Sequence, residues 1–113
     1  MIKFRDLTRW QRNEIIATFK RARKVLSIPE LDIRLAPAVL TYGRILIIIP
    51  KKVGSAPQRN LLRRRIKMLY YENEWYTKKF DWIIFLKPKA VECSFIQLQA
   101  FLSQALPVSS SKL

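Results

Sequence analysis

From Ile45 to Ile49 the chain reads ILIII, five consecutive apolar residues with none to place against water. A run this short is strand-sized, and a strand with no polar side asks for cover on both faces, as in the centre of a sheet. Pro50 ends it. Lys51-Lys52-Val53-Gly54-Ser55 then reads as a glycine-bearing turn, and Ala56-Pro57 opens a helix. Proline is tolerated in a first helical turn, and Ser55 is placed to cap it. That helix is predicted to run to about Trp75, with a turn at Lys78-Lys79 and a further strand over Phe80 to Leu86 (FDWIIFL). Strand, turn, helix and strand make a βαβ unit, right-handed by the general rule.

The remaining elements are fitted around that unit. Residues 6–26 are predicted to form an amphipathic helix capped by Asp6 or Thr8, with Ile15, Phe19, Ala22 and Leu26 in helical phase. Lys20, Arg21, Arg23 and Lys24 would sit at its negative dipole end. Ser27-Ile28-Pro29-Glu30 breaks it. Leu31, Ile33 and Leu35 alternate with Asp32 and Arg34, the pattern of a half-buried strand. Pro37 interrupts, Val39 to Tyr42 is expected to continue the sheet, and Gly43 turns the chain. Near the end, Ser94 caps a helix with Phe95, Leu98, Leu102 and Ala105 on its apolar stripe. Pro107 stops this helix before a polar tail over residues 108–113. Residues 1–107 therefore read as one domain.

With half of its residues hydrophobic, the chain is rich enough to pack a core, yet it carries a formal charge of +14. A folded domain with that excess repels itself, and a phosphate-rich partner relieves the repulsion. Nucleic acid is the first expectation, ahead of an anionic membrane surface. Cys93 is the only cysteine and histidine is absent. That excludes an intrachain disulfide and fits a reducing, intracellular compartment. It also removes imidazole metal sites, histidine acid–base chemistry and zinc clusters. No apolar run reaches membrane-spanning length, and Lys3, Arg5 and Asp6 precede no signal-peptide core. The terminal Ser111-Lys112-Leu113 spells a peroxisomal address, but nothing else in the chain suggests that compartment. Gly43 and Gly54 are the only glycines, too few for a P-loop or a dinucleotide fingerprint. The eight carboxylates are scattered, which speaks against an acid-pair hydrolase or a protein-built two-metal site. Binding, not bond-breaking, is the expected work of the chain.

Its sharpest binding feature is the stretch from Lys51 to Lys67, KKVGSAPQRNLLRRRIK. Seven of these 17 residues are Lys or Arg, and no acid occurs between Ile33 and Tyr71. At helical spacing Arg59, Asn60, Arg63, Arg64 and Lys67 fall within an arc of about 140°, while Leu62, Ile66 and Leu69 occupy a separate flank of about 60°. Arginine forks suit phosphate oxygens, and Asn60 suits a 2′-hydroxyl or base edge. Lys51, Lys52 and the N–H groups around Gly54 and Ser55 would form an anion-binding corner. Phe19, though placed for a core, would stack on a base if it lined a cleft.

These residues resemble the signature of the bacterial ribonuclease P protein subunit, in which a strand ends in a K-K-x-G-x-A turn and a helix bearing R-N-R-x-K-R follows. The resemblance extends over about residues 7–106 and takes in Phe19, the Gly43-Arg44 hairpin exit, the strand ending at Lys87-Pro88 and the closing helix. It implies an α+β fold: a two-layer sandwich of about four strands and three helices, ordered α-β-β-β-α-β-α. The βαβ crossover would be left-handed, against the general rule, in a ribosomal-protein domain-2-like topology. It implies a cytoplasmic bacterial protein, one copy of which joins the catalytic ribonuclease P RNA. That RNA, with Mg²⁺ that it mainly holds itself, cleaves precursor tRNA to its mature 5′ end; no small organic cofactor and no membrane are implied. Lys51, Lys52, Arg59, Asn60, Arg63 and Arg64 match RNA-contacting motif positions, with Lys67 beside them. Phe19, Arg44 and Arg34 correspond to a cleft for the 5′ leader. Four positions depart from the pattern. Leu61 stands where a second Arg or Lys is usual, Arg63 replaces Lys, Ile15 replaces the first cleft aromatic, and Leu46 stands where Gly often follows the hairpin. The loss of one phosphate contact at Leu61 is expected, with Arg65 or Lys67 placed to offset it. The competing reading is a non-enzymatic RNA-binding protein of ribosomal or RNA-chaperone type.

Overall fold

A computed structural model describes residues 2–106. Helix α1 (Arg12–Arg21) leads into strands β1 (Arg23–Ser27), β2 (Leu31–Pro37) and β3 (Ile45–Ile48). Helix α2 (Ala56–Glu72), strand β4 (Phe80–Leu86) and helix α3 (Phe95–Gln104) complete the domain. The four strands form one mixed sheet in the order β1-β2-β4-β3, antiparallel except for the parallel pair β3 and β4. The βαβ unit expected around the ILIII run is thus present, with α2 as its crossover, and the fold is the α+β arrangement anticipated. But β3 is an edge strand with Leu46 and Ile48 half-exposed, not the central strand covered on both faces that the run predicts, since β4 takes the middle place beside β2. The polar tail and its Ser-Lys-Leu end lie outside the described residues.

The register sorts the strand residues into two faces. Leu31, Ile33 and Leu35 of β2 lie beside Leu86, Ile84 and Trp82 of β4, and Ile45 and Ile47 of β3 continue the row. This face packs under Leu62, Ile66, Leu69 and Tyr70 of α2 and Leu98 and Leu102 of α3, in one continuous core. Trp82 is fully buried, stacked on Trp75 with ring centroids 5.4 Å apart and met edge-on by Tyr70. Pairs of this kind contribute beyond the area they bury.

Both long packing helices start as their sequences dictate. Ser55 Oγ accepts from the Gln58 N–H while Gln58 Oε1 accepts from the Ser55 N–H, a reciprocal cap. Ser94 and Gln97 repeat it at the start of α3. Helix α2 ends at Glu72, three residues short of the expected Trp75; Asn73 caps it and Glu74 turns left-handed at φ 53°.

Two elements differ from expectation. The predicted helix over 6–26 is a 3₁₀ turn, Phe4–Thr8, followed by the shorter α1; Arg23–Ser27 leaves the helix to pair with β2. Inter-strand hydrogen bonding here overrides a helical phase that local spacing continues through Leu26. Val39 to Tyr42, expected to continue the sheet, is a loop instead. It wraps a buried carboxylate: Asp81, on the sheet face opposite Trp82, accepts from the Arg44 N–H at 3.0 Å.

Candidate nucleic-acid interface

The cationic stretch leaves the core at Val53. This side chain is 3% exposed and pins the turn, while Lys51 and Lys52 on either side of its approach stand in solvent. The turn's amides are already engaged: the Gly54 N–H donates to the Lys51 carbonyl at 3.4 Å and the Ser55 N–H to Gln58. The expected anion corner therefore offers lysine ammonium groups, not those main-chain donors. On α2, burial of Leu62, Ile66 and Leu69 fixes the helix's rotation and turns the opposite side outward. Asn60 and Arg64 are exposed, and Arg59, Arg63 and Lys67 half-exposed. Arg59 Nε braces the turn by donating to the Gly54 carbonyl at 3.2 Å, and Arg63 Nη1 donates to Asn60 Oδ1 at 3.2 Å. Among the described residues none of these cations has a carboxylate within 4.0 Å; the four ion pairs belong to Arg21, Lys24, Arg44 and Lys87. All seven expected residues are thus brought onto one turn-and-helix surface with its charge unneutralised. Such a surface suits a chain of phosphates.

A second surface lies across the sheet. On the face away from α2 and α3, β2 carries Asp32, Arg34 and Ala36, opposite Phe85, Ile83 and Asp81 of β4. Leu46 and Ile48 of β3 extend this face, and Lys24 of β1 lies beside Arg34. Helix α1 crosses one end of it, held by a stripe of polar contacts. Arg21 Nη2 lies 3.6 Å from Asp81 Oδ2 and donates to the Pro37 carbonyl, while Glu14 Oε1 accepts from Arg44 Nη1 at 3.0 Å. Thr18, between them on the same stripe, is buried. Asn13 and Ala17 flank this stripe beside Val39 of the β2–β3 loop, off the end of the sheet. The other flank, about 100° around the helix, carries Ile15 and Phe19. Phe19 is 41% exposed and Phe85, on the sheet face, 39%. Arg34 is half-buried on the same face. Asp32 accepts from Ser27 Oγ and pairs with Lys87 Nζ at 2.9 Å, which hold its carboxyl below its ordinary pKa against the opposing pull of burial.

Arg44 departs from the exposed cleft contact expected of it. It is 3% exposed, its guanidinium 4.1 Å from the Trp10 ring centre and donating to the Arg9 carbonyl as well as to Glu14. Its work is to tie α1 to the start of β3. The Glu14 carboxyl is held below its ordinary pKa, first by the Gln11 N–H and then by Arg44. A pKa lowered by folding contributes stability above the unfolded value, about 4.3 for glutamate, and loses it as pH falls through the folded value. Acidification below about pH 4 should therefore loosen α1 from β3, seen as a Trp10 fluorescence change that Glu14→Gln abolishes. An identical acid response in that variant would assign the change to another group. Asp81 behaves oppositely: burial pushes its carboxyl up, so protonating it relieves a cost.

Phe85 and Trp10 were not anticipated. Alternation within FDWIIFL puts Phe85 on the Asp81 face and identifies it once the core face is known. Nothing local in the sequence marks Trp10, whose indole Nε1–H donates to the Ile45 carbonyl 35 residues away at 2.9 Å.

Fold and surfaces together define a small α+β protein with an unneutralised cationic helix face. The sequence model of the ribonuclease P family matches residues 4–108, and the chain belongs to that family. Among solved structures, the Staphylococcus aureus RNase P protein is similar at TM-score 0.76 and 17% identity, over 88% of this chain and 91% of that one. The RNase P protein from Thermotoga maritima is similar at TM-score 0.73 and 21% identity, over 88% and 94% respectively. At such identities the likeness concerns the fold. Comparison with curated proteins finds no match.

Proposed function

We propose that the chain is the protein subunit of a bacterial ribonuclease P, acting in the cytoplasm as one protein on one catalytic RNA. The observation that carries this reading is the acid-free array Lys51, Lys52, Arg59, Asn60, Arg63, Arg64 and Lys67, exposed or half-exposed and without a carboxylate partner among the described residues, on the fold of this family. This array docks the catalytic RNA. The sheet face beside α1 holds the 5′ leader of precursor tRNA, with Phe19 and Phe85 offering rings for unpaired bases and Arg34 a phosphate partner. Mg²⁺ is held mainly by the RNA, whose phosphates are its natural ligands. Hydrolysis is then the work of the RNA and its ions, and the chain contributes no catalytic residue. Its contribution is to neutralise phosphates and to position the substrate, which lowers the Mg²⁺ the reaction needs.

Reconstitution tests this directly. Added to its catalytic RNA at low Mg²⁺, the protein should raise the rate of precursor-tRNA cleavage, and by more for a leader of several nucleotides than for one of one or two. Phe19→Ala should shrink the difference between the two leaders. No stimulation at any leader length would sink the subunit reading; equal stimulation of short and long leaders would sink the leader cleft.

A further inference from the structure

One cleft borders the cationic surface at Arg63 and Lys67 but has a floor and a far wall that no role described so far uses. It lies against the outer edge of β3, with a volume of about 160 Å³. Thr8 and Trp10 form one wall, Arg63 and Lys67 the other, and residues 45–47 the floor. The floor is main chain. Strand β3 is paired on one side only, with β4. The Trp82 N–H donates to the Arg44 carbonyl at 2.8 Å, so Arg44, Leu46 and Ile48 turn their peptide groups toward β4. Ile45 and Ile47 turn theirs outward, as the bond from Trp10 Nε1 to the Ile45 carbonyl shows. That bond uses one lone pair of two. The second lone pair of Ile45 and the Ile47 N–H stand side by side, an acceptor next to a donor.

Acceptor beside donor is the pattern a nucleobase presents along its pairing edge, and proteins read unpaired bases by that edge. The cleft is smaller than the ~300 Å³ or more of a drug-sized site, so it suits one planar ring with the remainder outside. Two cations on one wall favour a ligand bearing phosphate over a peptide strand adding to the sheet edge. The Trp10 wall is fixed in advance, by its bond to Ile45 and by the Arg44 guanidinium over its ring.

We infer that this cleft receives a single unpaired nucleotide of the bound RNA, its base edge on Ile45 and Ile47 and its phosphate between Arg63 and Lys67. The inference rests on the reading of α2 as an RNA-docking helix and adds a base-selective position to it. Arg64, Lys51 and Lys52 lie outside the cleft and bind phosphate without regard to sequence.

The test is an amide-resolved NMR titration of the whole protein with AMP, GMP, CMP and UMP, and with ribose 5-phosphate as the baseless probe. At least one mononucleotide should move the Ile45 and Ile47 amides and the Trp10 indole signal, and ribose 5-phosphate should leave Ile47 in place. A short single-stranded RNA should give the same shifts at lower concentration. Thr8→Tyr, which fills the mouth, should weaken the response about tenfold or more with the Ile84 amide unmoved. If ribose 5-phosphate reproduces every shift, or no mononucleotide moves Ile47, the cleft is at most a phosphate patch and the inference is wrong. If mononucleotides move Ile47 and single-stranded RNA does not, the ligand is a free nucleotide and the assignment to RNA falls. Failure of the ribonuclease P reading would show separately, as unstimulated precursor cleavage with these shifts intact.

Discussion

Replacing Arg63 and Arg64 together by alanine is expected to weaken binding to the catalytic RNA by about two orders of magnitude at moderate salt. Each guanidinium lost removes a charge-assisted contact, and a deficit of about 1.4 kcal/mol apiece is a factor of about ten each. The salt dependence carries the more diagnostic signal. With four to six phosphate contacts in all, affinity should fall about 50- to 2,000-fold over a fourfold rise in salt, and the double variant should lower the logarithmic slope by about 1.5 to 2. Folding should be affected little, because neither side chain is buried and the bond given up is that from Arg63 Nη1 to Asn60 Oδ1. Filter binding over a range of KCl, beside a thermal melt, separates the two effects. A slope equal to that of the parent protein would remove this face from the RNA.

Gly43→Ala is expected to have the largest effect on stability of any single methyl group in the chain. The reason is space and not dihedral freedom, since Gly43 does not adopt a positive φ. A Cβ there would be driven into the Phe80 carbonyl and come within 2.8 Å of the Tyr70 hydroxyl. The surroundings have little room to give. The Gly43 N–H donates to the Tyr76 carbonyl at 2.8 Å, the Ala38 N–H to the Lys79 carbonyl at 2.9 Å, and β4 is hydrogen-bonded on both sides. Overpacking against a fixed main chain costs about 3 kcal/mol, which lowers the melting temperature of a domain this size by roughly 10–20 °C. A drop of less than about 3 °C would mean that the loop from Ala38 to Gly43 relaxes freely, and with it the buried carboxylate that it wraps.

How far the sequence foretold these features follows the range of the forces involved. Where the signal is local, it was legible. Ser55 and Ser94 cap helices as read, the ILIII run is a strand, and FDWIIFL is its parallel neighbour. The cationic arc on α2 was legible because burying Leu62, Ile66 and Leu69 sets the helix's rotation. Strand β1 was not, because Arg23 to Ser27 lacks a breaker at its start, keeps Leu26 in helical phase, and becomes a strand only through pairing with β2. A bulge at Val25 further blurs its alternation. Arg44 was misplaced for a similar reason. Its burial depends on Glu14, 30 residues earlier, and on Trp10, neither of which spacing connects to it. Phe19, which helical phase with Ile15 and Ala22 assigns to the core, is instead 41% exposed, because the Glu14–Thr18–Arg21 stripe claims the side of α1 that meets the rest of the domain.

That stripe has a further consequence for motion. Helix α2 sinks four side chains into the core, whereas α1 buries only Thr18 and is otherwise fastened by ion pairs and main-chain bonds. An element fastened by charge opens at lower free energy than one fastened by hydrocarbon, and screening ions lower that free energy further. Amides of α1 should then exchange with deuterium through a local opening that becomes more frequent as salt rises. Amides of α2 and β4 should exchange only when the whole domain unfolds. Under the proposed function, the catalytic RNA would then meet a rigid body and the substrate a hinged one.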